Sequence, residues 1–318
     1  MMEVSVIIPN YNGIAFLDSV LNSLEGQTAD DFEVILVDNG SSDGSCSFAA
    51  ASYPWVHILE LPENYGFCRA VNEGIKASRA PYVILLNNDT EVTENFVEEM
   101  LAAIMRHKKA FSCGARMVQY HDRDKLDDAG NYYCALGWSF ARGRGRDIHA
   151  YEKEEKIFAA CAGAAIYRKK ILDQIGLFDE EHFAYLEDVD IGYRARIYGY
   201  ENWYAPKAVV YHVGSGTSGS RYNQFKTRYS SRNNVYLVYK NMPFLQILLN
   251  LPFLAAGFGI KIVFFTAKGM GREYLAGIKN GFSISIKGKK VPFSWKHLKN
   301  YACIQAELWV NILRRFGR

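Results

Sequence analysis

The sequence predicts an α/β protein on a mostly parallel sheet, followed by a basic, apolar helical extension. Three observations predict it. Short apolar runs recur along the first two thirds of the chain, each released into a turn of Asn, Asp or Gly. Stretches with helical spacing separate those runs, and strand–helix alternation of this kind returns each strand to one sheet in the same direction. The charge then changes sign: from Gly219 onward there are 17 Lys and Arg against two acids, leaving 20 bases and 32 acids before it.

In chain order, Val4-Ser5-Val6-Ile7-Ile8 reads as a strand stopped by Pro9, and Asn12-Gly13 as a turn. Phe16, Leu17, Val20, Leu21 and Leu24 then follow at helical spacing. Phe32 to Val37 is a second strand, ending in Asp38-Asn39-Gly40-Ser41-Ser42-Asp43. Val56 to Leu61 is a third, passing through Asn64-Tyr65-Gly66-Phe67 into a helix from about Arg69 to Ser78. Tyr82 to Leu86 is the fourth, and its unbroken apolar run is that of a strand buried on both faces. It delivers Asn87-Asn88-Asp89 to the carboxyl edge of the sheet, where ligands of open α/β sheets sit. Thr90 to Thr93 open a helical pattern, so Asp89 stands open between a helix cap and a ligand-binding carboxylate. Asn10, Asp38, Asn64 and Asp89 should converge on one edge, although Asn, Asp and Gly also make plain turns.

Beyond this point a helix is expected near Glu94–Lys108 and a strand near Phe111–Val118. Asp122 to Asp147 reads as an irregular polar segment in which Arg142, Arg144 and Arg146 alternate with glycine; a solvated loop is favoured over a phosphate cradle. Ile157 to Tyr167 is small and apolar, and Lys169 to Ile175 is a short helix. Glu187, Asp188 and Asp190 crowd one helical turn, a repulsion that a cation or a proton-accepting task would offset. Val209 and Val210 form a last strand before His212, a position more often structural than ligating.

At 318 residues the chain has room for one large or two modest domains, with 49% apolar and 22% charged residues as in ordinary globular proteins. No pair among the six cysteines has metal-ligand spacing, so reduced thiols in a cytosolic setting are the simplest reading. Met1 to Asn10 runs into a strand without a basic leader, and no signal peptide is expected.

Taken together, Val4 to Asn12, Val37-Asp38-Asn39-Gly40-Ser41-Ser42-Asp43-Gly44, Asn64-Tyr65-Gly66-Phe67, Leu86-Asn87-Asn88-Asp89, Glu187-Asp188-Val189-Asp190 and His212-Val213-Gly214-Ser215-Gly216 resemble the inverting family 2 glycosyltransferases. The resemblance runs over about residues 3–240 and is closest to the rhamnosyltransferase-like branch. It implies the nucleotide-diphospho-sugar transferase fold (GT-A type), a Rossmann-like α/β/α sandwich. Residues 1–240 would be catalytic, with a nucleotide-sugar half to about 118 and an acceptor half from 119, and 241–318 a separate tail.

A nucleotide-sugar donor leaves as a diphosphate whose growing charge a divalent cation neutralises; oxygen ligands with one imidazole suit Mg²⁺ or, better, Mn²⁺. The resemblance puts Asp89 and His212 on that metal and Asp38 against the base and ribose of the nucleotide. Pro9, Asn10, Tyr11, Asn12 and Asn39 would shape the pocket, and Asn64, Gly66, Phe67, Arg69, Asn72, Asn87 and Asn88 would help hold the donor. Asp188 matches the base that takes the acceptor hydroxyl proton, with Glu187 as its neighbour, and single displacement inverts the sugar configuration. The family's metal motif often carries two aspartates, where this chain has Asn87 and Asn88 before Asp89; the chain also reads Cys68-Arg69-Ala70 where many relatives have glycine after the Phe.

The tail's Pro243 to Ala267 is long enough to span a bilayer, but Gln246, Asn250, Pro252 and Lys261 interrupt it, so lying in the interface is favoured. Lysines and arginines from Lys268 to Lys290 suit anionic headgroups; Trp295, Tyr301 and Trp309 sit as interfacial aromatics do; Leu298 to Phe316 reads as a second amphipathic helix. A dimer-forming hairpin stays open, while nucleic acid gains nothing from such apolar runs. The expectation is an enzyme on the cytoplasmic face of the membrane that moves a sugar, rhamnose by the resemblance, to a lipid-linked glycan. Two other classes were weighed. A nucleotidyltransferase wants a basic glycine-rich loop after the first strand, and Asn10-Tyr11-Asn12-Gly13 has no basic residue. A nucleotide-sugar-binding scaffold without turnover would have no use for Asp89, Asp188 and His212 together.

Overall fold

The computed structural model describes residues 2–214 and 222–316. The elements run β1 (Val4–Asn10), α1 (Ile14–Glu25), β2 (Phe32–Asn39), α2 (Ser45–Ser52), β3 (His57–Leu61), α3 (Phe67–Ala77), β4 (Tyr82–Leu86), β5 (Thr90–Val92), α4 (Phe96–Arg106) and β6 (Ala110–Gln119). They continue with β7 (Asp122–Asp128), β8 (Asn131–Cys134), β9 (Trp138–Ala141), β10 (Glu155–Ile157), β11 (Ala164–Arg168), α5 (Lys169–Ile175), α6 (Glu187–Ile197) and β12 (Glu201–His212). Four helices complete the chain: α7 (Gln224–Asn241), α8 (Phe244–Ala267), α9 (Gly271–Lys287) and α10 (Leu298–Phe316).

The main sheet has the order β10-β12-β6-β11-β4-β1-β2-β3. Strands β4, β1, β2 and β3 are mutually parallel, β11 inserts antiparallel, and β6 and β12 are again parallel. The unbroken apolar runs are explained by cover on both faces. Val6, Ile8, Leu36, Ile84 and Leu86 bury into the layer of α1 and α4, while Ile7, Ile35, Val37, Val83 and Leu85 bury into the layer of α3, α5 and α6. The expected α/β/α sandwich with its mostly parallel central sheet is present.

Four local expectations are corrected. Thr90 to Val92 is not the start of a helix but the short strand β5, pairing antiparallel with the end of β12 and so locking His212 opposite Thr90. The segment from Asp122 to Asp147 is not irregular: β7 pairs with β6, and β8 with β9 in a separate ribbon. Its hydrophobic alternation is masked because β7 carries acids on both sides, several of which the structure puts to use. Arg142 is not on a solvated loop, since its guanidinium lies 4.5 Å from the ring of Tyr151 and 5.0 Å from that of Tyr204 and pairs with Glu155 at 2.9 Å. Stacking on two rings removes it from water. The last strand also begins well before Val209, at Glu201.

Helices α7, α8 and α10 pack on the sheet domain through a third core, in which Leu237, Leu254, Tyr301, Ile304 and Leu308 meet Tyr133, Phe158 and Tyr193, while α9 packs on α7 and α8. Two backbone ties stitch α10 to β8 and its exit: Ala135 N donates to Leu308 O at 3.0 Å, and Asn311 Nδ2 to Tyr133 O at 2.8 Å.

Candidate active site

Because β1, β2, β3 and β4 are parallel, their carboxyl ends share one edge, and the strand-end residues meet there. Asn10 and Asp38 are register partners on β1 and β2. Asn10 Nδ2 donates to Asp38 Oδ1 at 2.9 Å, and Asn88 Nδ2 donates to Asn10 Oδ1 at 2.7 Å, all three side chains being buried. This chain of amides fixes the carboxylate of Asp38, whose other oxygen accepts from Ser41 N at 2.8 Å. Gly13 is required here: a Cβ would stand 2.1 Å from Asn88 Nδ2. Asn12, at φ 48°, accepts from Ser42 N at 2.8 Å and so ties the first loop to the second, leaving Tyr11 exposed at the rim after Pro9. Asn39 Nδ2 donates to Asn64 Oδ1 at 3.0 Å and to Gly66 O at 3.2 Å, closing the wall formed by the third loop.

Most of the donor candidates lie at this edge or extend it, but two point elsewhere. Asn72 is buried and spends its amide on Phe178, donating to its carbonyl at 2.8 Å and accepting from its N–H at 3.1 Å. Arg69 is exposed and pairs with Glu73 at 2.9 Å and Glu180 at 3.0 Å. Phe67 opens α3 behind Gly66, whose φ of 86° and contact with Phe183 admit no side chain.

The second centre is His212. Its Nδ1 lies 2.8 Å from Asp127 Oδ2 and its Nε2 lies 3.3 Å from Asp89 Oδ1, with Asn87 Nδ2 at 3.5 Å. Burial disfavours the imidazolium, but the bonds to Asp127 and Asp89 outweigh it and raise the pKa to about 9. Asp89 is thus no helix cap. A carboxylate on Nδ1 holds a proton on that nitrogen, so an ion that displaces the Nε2 proton would find Nε2 oriented to ligate, the arrangement that positions metal-binding histidines. A divalent cation fits between Nε2 and Asp89. Among the described residues no three His, Cys, Asp or Glu side chains gather as a metal cage, so two protein ligands would suit an ion completed by diphosphate oxygens. Ser215 and Gly216 of the last motif lie outside the described residues.

The third centre is the start of α6. Asp188 is half-buried, accepts from Asn131 Nδ2 at 2.8 Å and from Val189 N at 2.7 Å, and receives a further bond from the Ala162 amide. Burial raises its pKa against those three bonds, and Glu187 is raised likewise by burial and by the charge of Asp188. Asp190, the third acid, turns away and is held by Lys240 at 2.9 Å, Arg194 at 3.0 Å and Asn241 at 2.8 Å. The expected repulsion is thus relieved by splitting roles: one carboxylate is neutralised structurally, and two are left with raised proton affinity.

The segment entering α6 is strained. Phe183, Tyr185 and Leu186 all have positive φ, at 59°, 73° and 66°. Asn233 on α7 holds it, its Nδ2 donating to the carbonyls of His182, Ala184 and Tyr185 at 2.8, 2.8 and 2.7 Å. Such strain persists only where surrounding bonds over-determine it.

Sequence reasoning missed Asp127, Asp128, Asn131 and Asn233. The first three lie in the segment read as irregular and bridge the two centres: Asp127 orients His212, Asn131 holds Asp188, and Asp128 sits between, its pKa raised to about 7 by burial and by the charges of Asp127 and Asp188, against the Gly130 amide. Three buried-side polar residues at 127, 128 and 131 were the available signal. Arg144, 3.1 Å from Asp127, adds a cation beside the cluster.

Known proteins share the sequence family and the fold. The sequence model of Glycosyl transferase family 2 matches residues 5–176. An N-acetylglucosaminyl-diphospho-decaprenol L-rhamnosyltransferase of Mycobacterium tuberculosis is 28% identical over 67% of this chain and 77% of its own. Among solved structures, S. aureus TarS 1-349 in complex with UDP superposes with a TM-score of 0.59 at 17% identity, covering 100% of this chain and 92% of that one. GalNAc-T7 with UDP, GalNAc and Mn²⁺ gives 0.60 at 16% identity over 75% of this chain, which spans 48% of it. The fold is shared with both. The chain belongs to glycosyl transferase family 2 and is a glycosyltransferase.

Proposed function

We propose that the enzyme moves a sugar, rhamnose in the first instance, from a nucleotide-diphosphate donor to a lipid-linked glycan, by one inverting displacement. The observation that supports this is the run of contacts Asp89–His212–Asp127, with Asp128 within electrostatic reach of both Asp127 and Asp188, a carboxylate of raised proton affinity. The similarity to the decaprenol-dependent rhamnosyltransferase supports the acceptor class and the sugar. In this reading Asp38, fixed by Asn10 and Ser41, takes the nucleoside, and Pro9, Tyr11, Asn12, Asn39, Asn64 and Gly66 shape its pocket. Asp89 and His212 would hold Mn²⁺ or Mg²⁺ against the diphosphate, with Asn87 and Asn88 alongside. The bound ion supplies charge neutralisation to the departing diphosphate. Asp188 accepts the acceptor hydroxyl proton, and Glu187, protonated more readily, keeps a second negative charge from building beside it.

The tail supports a membrane-surface location. On α8 the side turned to the protein carries Gln246, Asn250 and Gly257 with Leu254, whereas Leu245 and Val263 are 76% and 70% exposed. Polar inside and apolar outside inverts the pattern of a water-soluble helix. On the polar side Asn250 and Gln305 exchange two 2.8 Å bonds, and Gln246 Oε1 accepts from the Tyr193 hydroxyl at 3.1 Å. Docking along this stripe from 246 to 257 favours α8 lying in the interface over crossing the bilayer, although its 24 residues are long enough to cross.

The deciding experiment incubates the protein with Mn²⁺, a panel of nucleotide sugars and a short-chain prenyl-diphospho-sugar, with products read by mass spectrometry. Transfer with inversion is expected, falling by about 10²–10⁴ in Asp188→Asn while UDP affinity is kept. Absence of both transfer and donor hydrolysis with every sugar would sink the reading.

A further inference from the structure

On the α7 face away from the sheet, Phe225, Arg228, Tyr229 and Arg232 follow at i, i+3, i+4 and i+7 and form one stripe. Facing them across a cavity of about 400 Å³ are Glu273 and Asn280 of α9. Two arginines on an open cavity, with one carboxylate 3.9 Å from Arg228, leave a net positive site with two planar donor forks. Arg232 is oriented, its guanidinium 4.5 Å over the Tyr229 ring and bonded to the carbonyls of Glu181 and His182. Arg228 is half in water and unattached to the strained loop.

Two features relate this cavity to the catalytic cleft. Phe183 and Tyr185, which lead directly into Glu187 and Asp188, pack their rings against Tyr229 and Phe225 at 5.2 and 6.1 Å. The next residue on the helix, Lys226, lies within electrostatic reach of Asp89. Two rings that line the cavity thus pack against the segment leading into the base, and the same helix turns a lysine toward the diphosphate-facing pair. On its other side α9 exposes Leu275, Phe282 and Ile286, as the neighbouring α8 exposes Leu245 and Val263.

We propose that this cavity receives the diphosphate of the lipid-linked acceptor, its two phosphates on Arg228 and Arg232, its first sugar toward Tyr185 and Asp188, and its lipid along the exposed face of α9. The assignment rests on the acceptor class proposed above, and it explains why aromatic, cationic and apolar groups stand in that order between the base and the membrane face. Glu273 opposes the anion and sets an upper bound on affinity, which gives the site a test of sign.

The test is titration calorimetry of the full chain, pre-saturated with UDP and Mn²⁺ so that the donor site is occupied, with farnesyl diphosphate as the probe. Arg228→Ala is expected to weaken the probe about tenfold or more, as loss of a charge-assisted pair does, and Arg228→Lys to weaken it less. Glu273→Gln is expected to tighten it. UDP affinity, measured separately, should be the same in all variants. Unchanged probe affinity in Arg228→Ala overturns the assignment; so does an equal loss of UDP affinity, which would place the arginine in the donor site. Loss of binding to phosphatidylglycerol vesicles in the same proportion as the probe overturns it too, by making Arg228 a general headgroup contact. Probe binding needs no turnover, so failure of the glycosyltransferase reading would appear separately, as no donor hydrolysis by the unaltered protein.

Discussion

At the scale of the residue, the site is built by giving similar carboxylates different surroundings. Asp188 is pushed up by burial and restrained by three bonds to its anion, one from Asn131. A base works only when deprotonated, so the acidic limb of kcat/KM should lie above the usual carboxylate range, with an apparent value belonging to the Asp188–Glu187 pair. Asn131→Ala removes a bond that favours the charged form, so the limb should move to higher pH while UDP affinity stays; a limb that stays put would remove Asn131 from this role. Asp127 acts one step back from the cleft through His212. Asp127→Asn should weaken Mn²⁺ binding in the presence of UDP by about 10–100-fold, the usual effect of losing a partner that orients a ligating histidine. Paramagnetic relaxation of water would measure it.

At the scale of the element, α6 and α7 form the rigid side of the site. Lys240 on α7 bridges Asp179 and Asp190, with Asp190 fully buried. Burial alone would raise Asp190, but Lys240 and Arg194 outweigh it and hold its pKa far below the ordinary value; Asp179 is lowered by Lys240 in the same way. A depressed carboxylate contributes stability that is present above its unfolded pKa and lost as pH falls through the folded one. Acid unfolding should therefore begin below about pH 4, once the unfolded-state carboxyl groups protonate. Lys240→Met leaves two carboxylates facing each other without a cation and should cost about 3–5 kcal/mol in urea unfolding, as removing one partner of a buried pair does. The α7 helix carries Asn233 on the same side, and so it also clamps the strained entry to Glu187 and Asp188.

At the scale of the whole molecule, the four C-terminal helices join the catalytic sheet to an apolar outer surface. Leu245→Asn combined with Val263→Asn should lower partitioning onto phosphatidylglycerol vesicles by about tenfold or more, since burying each such side chain contributes about 1.5–3 kcal/mol. Raising salt should weaken the binding of the unaltered protein without abolishing it, because only the lysine and arginine share is screened. Cosedimentation reads both. Equal partitioning of the double variant would turn the exposed face toward a protein partner instead.

Much of this was legible in the sequence because it is local. Apolar runs of four or five residues specify strands buried on two faces, and parallel order then sends Asn10, Asp38, Asn64 and Asp89 to one edge without further information. The apolar length and basic surplus of the tail were legible too, and the membrane-surface role proposed for it starts from them. What stayed hidden depends on partners far apart in the chain. The acids of β7 resemble a solvated loop until β6 and β12 bring them beside His212, 85 residues away. Arg142 looks like a surface cation until two tyrosines enclose it, and Glu187, Asp188 and Asp190 look alike until Lys240 selects one of them. Strand identity and edge placement follow from hydrophobic burial, which sequence periodicity reports directly. The charge state and task of each carboxylate follow from desolvation and from neighbours that only the tertiary structure supplies.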